Sequence, residues 1–289
     1  MVIFISDATA MRMNYIEEEV TYKELHLEYQ KLFKNNKALM DNMYYAAFVQ
    51  QGILPQERHF KRLFNEYFII YKPQHVIGGD LYWVAQKENW KILAVGDCTG
   101  HGMSGAMLSV LALSFLNYLV LGKDFASPGK ILGELDRKWI ETFSQGLELG
   151  YINNDWLEIG LCAFNAQTRE IRFAGAFNKL ICASADEVKV LNGNRFPIGG
   201  WQIEDKRIFT DHSYTLPEQS MLYMYSDGFK DQFGDISGKR FGSRRLDQLL
   251  ESISKQPATR QMEKLEEEFN FWKGTEMQMD DVCVLGVRL

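Results

Sequence analysis

Between Tyr67 and Leu289 the chain breaks into nine short apolar or alternating runs: Tyr67–Tyr71, Asp80–Ala85, Ile92–Val95, Leu157–Phe164, Glu170–Phe177, Leu180–Ala183, Val188–Leu191, Met221–Tyr225 and Val282–Leu289. Several are joined by only a few turn-type residues, as at Asn165-Ala-Gln-Thr168. A parallel crossover needs about a dozen residues, so these runs pair as antiparallel strands. Helical periodicity is confined to Ser104–Leu121, Gly129–Phe143, Arg245–Ser254 and Ala258–Phe271. Strands in series interrupted by pairs of helices predict an α+β fold with sheets in the middle and helices outside. No repeat of solenoid length is visible.

Composition removes several classes of function. The 289 residues are 46% hydrophobic and 24% charged, which is a globular balance. Asp and Glu (38) outnumber Lys and Arg (32), and no basic stripe interrupts them, which argues against nucleic acid as a partner. Cys98, Cys162, Cys182 and Cys283 are scattered through apolar stretches without metal-ligand spacing, as expected of reduced core thiols in a cytoplasmic protein. MVIFISDATA lacks the basic start and long apolar run of a signal peptide. The 16-residue stretch Ala106–Leu121 is short for a membrane span and carries Ser109, Ser114 and Asn117, so a buried helix and no direct membrane insertion are expected.

Residues 12–51 contain neither Gly nor Pro until Gly52 and Pro55 end the helix they predict. Within them Tyr22, Leu25, Tyr29, Leu32, Asn36, Leu39, Met43 and Ala46 alternate in steps of three and four. Leu at d positions with one Asn at an a position favours a parallel two-stranded coiled coil in fixed register. The expectation is a homodimer through residues 15–50; the simpler alternative is an amphipathic helix packed on its own domain.

Four carboxylates stand at the tips of the most apolar runs. Ile92–Val95 leads into Gly96-Asp97, and Met221–Tyr225 leads into Ser226-Asp227-Gly228. Asp280-Asp281 precedes Val282, and Asp80 follows Gly78-Gly79. A charge beside a buried strand is costly unless it is solvated, paired or bound to a metal. None of these sites has Lys or Arg immediately beside it. Oxygen-only ligands select Mg²⁺ or Mn²⁺ over Zn²⁺, and two such ions about 3.5–4 Å apart would activate water and clamp a phosphoryl oxygen. Any single Asp-Gly after a strand also reads as a turn, and spacing alone leaves that alternative open.

At these residues the chain resembles the bacterial SpoIIE-type branch of the metal-dependent, type 2C serine/threonine phosphatases. The pieces that carry the resemblance are Tyr71-Lys-Pro-Gln-His-Val-Ile-Gly-Gly-Asp80-Leu-Tyr-Trp and Gly96-Asp97-Cys-Thr-Gly-His-Gly-Met-Ser-Gly-Ala-Met107. They continue with Phe173-Ala-Gly-Ala-Phe-Asn178, Pro197-Ile-Gly199, Tyr225-Ser-Asp-Gly228, Asp231-Gln-Phe-Gly234 and Asp280-Asp-Val282. The resemblance implies a four-layer αββα sandwich over residues 56–289, and its helical lead-in at Ala46–Pro55 continues the coiled-coil or helical linker read over 11–55. Separately, Ile3-Phe-Ile-Ser-Asp-Ala-Thr9 resembles the last strand and exit of a PAS sensor domain, so residues 1–10 are expected to be the remnant of an upstream sensor domain. The phosphatase resemblance implies two Mn²⁺ or Mg²⁺ ions held by Asp80, Asp97, Asp227 and Asp280, with the backbone carbonyl of Cys98 as a further ligand. The reaction it implies is direct attack of activated water on phosphoserine or phosphothreonine, without a phosphoenzyme. The implied partner is a phosphorylated regulatory protein such as an anti-sigma-factor antagonist.

Where many relatives carry Asp-Gly-Met-Asp, this chain reads Asp155-Trp-Leu-Glu158, a change expected to alter a loop or an auxiliary ion site. His101 lies four residues after Asp97, so the catalytic-acid histidine of better-known relatives is not transferred to it. Gly100-His-Gly-Met-Ser-Gly105 has the spacing of a dinucleotide-binding loop, but Asp97 just before it would repel a pyrophosphate. The alternative to an enzyme is a catalytically silent dimeric switch or scaffold that uses the same fold.

Overall fold

The structure, a computed structural model, describes residues 7–122, 126–147, 154–200 and 207–289. It divides into two compact units, Met1–Ala46 and Ala47–Leu289. The first is the greater part of α1 (Asp7–Ile53). Its heptad positions from Tyr22 to Leu39 are open to solvent, with Tyr22, Leu25, Leu32 and Leu39 between 61% and 71% exposed, while Met43 and Ala46 are partly covered. Ile3–Ser6, part of the expected sensor remnant, lie outside the described residues.

In the second unit a short α2 (Glu57–Leu63) leads into β1 (Glu66–Lys72), β2 (Asp80–Lys87) and β3 (Trp90–Cys98). Then come α3 (Gly102–Leu116), continued by a π-helical turn at Asn117–Leu121, and α4 (Pro128–Leu147). Six strands follow: β4 (Trp156–Asn165), β5 (Glu170–Ala176), β6 (Lys179–Ala183), β7 (Val188–Asn192), β8 (Ile198–Gly199) and β9 (His212–Thr215). The chain closes with β10 (Met221–Tyr225), α5 (Gly228–Asp231), α6 (Ser243–Ile253), α7 (Ala258–Lys273) and β11 (Val282–Arg288).

The strands form two antiparallel sheets, in the orders β1-β11-β10-β6-β7 and β2-β3-β4-β5-β9, with β8 paired to β4. Period-2 alternation sends neighbouring side chains to opposite faces, and here both faces are covered. Ile92 and Ala94 of β3 join Leu113, Leu116 and Trp139 in a core under α3 and α4. Leu93 and Val95 face the other sheet and meet Cys283, Leu285 and Val287 of β11. Val282 and Val284 point the opposite way, to Leu246, Leu250 and Phe269 of α6 and α7. Three apolar layers between four layers of backbone make the αββα sandwich, as expected.

The helix spanning Gly102–Leu121 is long and apolar enough to cross a membrane by composition, but half of its most apolar window is buried within the protein. It is the buried core helix that the interspersed Ser109, Ser114 and Asn117 predict. β3 is bordered on both sides by antiparallel strands. The glycine run after it is therefore not part of the parallel βαβ unit on which dinucleotide binding depends. All four cysteines are free and buried.

Candidate metal centre

Each sheet contributes two aspartates to one end of the sandwich. Asp80 opens β2 and lies directly across from Asp97 near the end of β3. Asp227 follows β10, and Asp280 precedes β11, the neighbour of β10 in the other sheet. Three of the four have raised carboxyls. Burial, then the carboxylates of Asp281, Asp227 and Asp280, push the Asp80 carboxyl well above its ordinary value, against the lowering effect of a hydrogen bond from Ser226. Burial, then Asp80, Asp227, Asp280 and Glu158, do the same to Asp97. Asp280 is also raised, chiefly by burial and then by Asp227 and Asp281, against a lowering hydrogen bond from the Asp281 backbone.

Asp80 is only 1% exposed. Its Oδ2 accepts a 2.6 Å hydrogen bond from Ser226 Oγ–H, whereas its Oδ1 and the Oδ1 of Asp227 are buried with no hydrogen-bond partner. A buried carboxylate oxygen without a donor is costly, and a divalent cation is the group that would satisfy both. Among the described residues no three His, Cys, Asp or Glu groups enclose an ion by themselves. Backbone carbonyls and water would therefore complete the shell, as hard cations such as Mg²⁺ commonly require.

Asp281 does different work from its neighbour. It is 2% exposed, and its two oxygens accept the backbone N–H groups of Gln74 at 2.7 Å and Gly79 at 2.6 Å. It clamps the 74–79 loop that delivers Asp80. A Cβ on Gly78 would lie 2.5 Å from that carboxylate, and one on Gly79 would lie 2.9 Å from the carbonyl oxygens of Cys98 and Gly100. Only glycines let the loop sit this close. The Cys98 side chain is buried in the apolar core, so only its backbone borders the loop. On the far side of that loop, buried Gln50 donates Nε2–H to Gly78 O at 2.6 Å and to Ser109 Oγ at 2.8 Å. The last turns of α1 belong to the same compact unit as these partners.

Residues that spacing did not point to also face the site. Antiparallel register sets Glu158 opposite Asp97. Burial, then Asp227, push its carboxyl up to about 7, with Lys230 acting in the opposite direction. Glu158 lines a cleft of about 380 Å³ with Asp97, Ser226, Asp227, Lys230 and Asn178. His101, at the start of α3, lies edge-on to His75 with ring centres 5.6 Å apart, and its charge acts on Asp280. The only sequence signal for Glu158 was the altered Asp155–Glu158 stretch, and for His75 its place in the Tyr71–Asp80 motif; Lys230 had none.

The family described as Stage II sporulation protein E (SpoIIE) matches residues 89–289. Among solved structures the chain is similar to the SiaA-PP2C domain of Pseudomonas aeruginosa, at 30% identity over 88% of this chain and 98% of that one, with a TM-score of 0.79. It is similar in fold to the PP2C phosphatase domain and regulatory-domain fragment of SpoIIE from Bacillus subtilis, at 15% identity over 78% of this chain and 63% of that one (TM-score 0.59). It is similar in fold, too, to RsbX in complex with magnesium, at 14% identity over 77% and 94% of the two chains (TM-score 0.54). A comparison with curated proteins finds no match.

Proposed function

The chain belongs to the SpoIIE family of PP2C-type phosphatase domains, and from that premise we propose that it hydrolyses phosphoserine or phosphothreonine on a regulatory protein, with two Mn²⁺ or Mg²⁺ ions as cofactors. The observation that carries this reading is the pair of buried, unpartnered oxygens on Asp80 and Asp227, one from each sheet, beside an open cleft that Asp227 and Asp97 line. Asp80, Asp97, Asp227, Asp280 and the Cys98 carbonyl would hold the ions. When bound, the ions supply an activated water and neutralise charge on the phosphoryl group. The protein's own residues position the ligands: Ser226 orients Asp80, Asp281 clamps its loop, and the β2–β3 register aligns Asp80 with Asp97. RsbX, of the same fold, binds magnesium.

The linker at 11–55 and the phosphatase domain at 56–289 form, in this reading, a signal-controlled cytoplasmic output module. The exposed seam of α1 supports a homodimer through residues 15–50, and the hydrogen bonds of Gln50 give the end of the linker a hold on the Gly78–Asp80 loop. An anti-sigma-factor antagonist is a fitting substrate.

The experiment is Mn²⁺-dependent phosphate release from phosphoserine and phosphothreonine peptides by wild type, Asp97→Asn and Asp227→Asn. Activity in wild type and its loss by at least about a hundredfold in both variants is expected, since each removes one ligand charge and keeps the shape. Activity that persists in both variants would detach the chemistry from these aspartates. A metal-loaded wild type without turnover would instead favour the silent switch.

A further inference from the structure

The cleft that Asp97 and Asp227 line is also lined by three cationic side chains, Lys179, Arg195 and Lys230. Lys179 is committed, with its Nζ 2.6 Å from Asp247 Oδ2. Arg195 is exposed. Lys230 alone of the three stands against a site aspartate. It lies on the single turn α5 three residues after Asp227, with Nζ 3.8 Å from Asp227 Oδ2 and 3.5 Å from Asp231 Oδ2.

Both separations exceed the roughly 2.7–2.9 Å of a charge-assisted hydrogen bond, so the ammonium is held by the surrounding field and not by a closed pair. Asp231 has a second cation, Arg240, whose Nη1 is 3.3 Å from its other oxygen. Lys230 is 27% exposed, so part of it remains open to the cleft, and its charge reaches Glu158.

A phosphate monoester brings up to two negative charges into a cleft walled by Asp97, Glu158 and Asp227. Ions on the aspartates would neutralise that floor. They would also release Lys230 from Asp227, leaving a mobile cation beside the incoming phosphoryl group. Lysine binds phosphate as a point charge with three donors on a flexible stem, which allows the few ångströms of movement required. Resting on the phosphatase reading, we propose that Lys230 is the phosphoryl-binding residue of the cleft, exchanging the Asp227 carboxylate for a non-bridging oxygen of the phosphate monoester. The same contact would hold the inorganic phosphate product.

The test uses the Mn²⁺-loaded full chain as wild type, Lys230→Gln and Lys230→Arg. Inorganic phosphate affinity is measured by calorimetry, KM and kcat with a phosphoserine peptide, and Mn²⁺ affinity without phosphate. Loss of one charged contact should weaken phosphate binding and raise KM by about tenfold in Lys230→Gln. Lys230→Arg should recover most of that loss. Mn²⁺ should bind Lys230→Gln at least as well as wild type, since the removed charge competes for Asp227. Phosphate affinity equal in wild type and Lys230→Gln, or no Mn²⁺-dependent phosphate binding in wild type, overturns the proposal. Weaker Mn²⁺ binding in Lys230→Gln also overturns it, showing that the lysine only organises α5. If the wild type cleaves no phosphopeptide while phosphate affinity still falls in Lys230→Gln, the phosphatase reading fails and the phosphate site stands.

Discussion

Asp80 and Asp281 show how the same side chain acquires different work from its partners. Asp281 has both oxygens filled by backbone donors, whereas Asp80 has one filled and one left over. In the metal-free protein the raised carboxyls of Asp80, Asp97 and Glu158 take up protons more readily than they would in the unfolded chain. For a carboxyl raised in the folded state, ionisation costs stability, so the contribution present at low pH is lost as pH rises toward the folded value. With Glu158 moving from 4.5 to about 7, the metal-free protein should lose melting temperature between about pH 4.5 and pH 7. Thermal unfolding in EDTA across that range checks this, and a melting temperature that rises with pH would contradict it. Replacing Asp281 by Ala strands the buried N–H of Gly79 and the half-buried N–H of Gln74 and should cost about 2–5 kcal/mol. Denaturant unfolding of that variant measures the loss. The partners of Ser226, Asp281 and Glu158 were out of reach of spacing arguments, because what each touches is set by residues far away in the chain.

At the scale of elements, the strands were the most legible part. The runs Ile92–Val95 and Val282–Val287 carry no charged or polar side chain because both faces of β3 and β11 are buried, and such continuity survives in the sequence without any alternation. The two-residue β8 and the half-exposed β9 carry no such pattern, and α2 is a single seven-residue element hidden behind Pro55. The heptad of α1 was legible because its step is regular, and the exposed Leu25, Leu32 and Leu39 keep that seam available. Leu32→Pro removes a helical hydrogen bond and should cost the helix about 3 kcal/mol. Sedimentation equilibrium should then show a wild-type dimer and a variant shifted to monomer; a wild-type monomer at all concentrations would remove the coiled coil from the reading. Gln50→Ala should lower Mn²⁺-dependent activity and weaken Mn²⁺ affinity while leaving the dimer intact, because it frees the Gly78 carbonyl and the loop that carries Asp80. Unchanged Mn²⁺ titrations would show that this hydrogen bond does not set the site.

On the scale of the whole molecule, the site is a seam between two sheets. Asp80 and Asp97 come from one, Asp227 and Asp280 from the other, so ions bound there would tie the halves of the sandwich together. Binding to the folded state alone stabilises by about 2.7 kcal/mol at a hundred times the dissociation constant. Mn²⁺ should therefore raise the melting temperature of wild type, and by much less in Asp227→Asn; an equal rise in both would place the ion elsewhere. The sequence by itself determined the elements, because hydrophobic period and turn residues are local. It also marked the four strand-tip aspartates, because a carboxylate beside an apolar strand is conspicuous wherever it occurs. Only the tertiary structure decided which carboxylate oxygens were left without donors, that Asp281 braces while Asp280 stays partly exposed, and that Glu158 and Lys230 line one cleft with Asp97 and Asp227. Those outcomes depend on the register of β3 against β4 and on the packing of one sheet over the other. Both are set by burial shared among residues as much as about two hundred positions apart, and no local pattern records them.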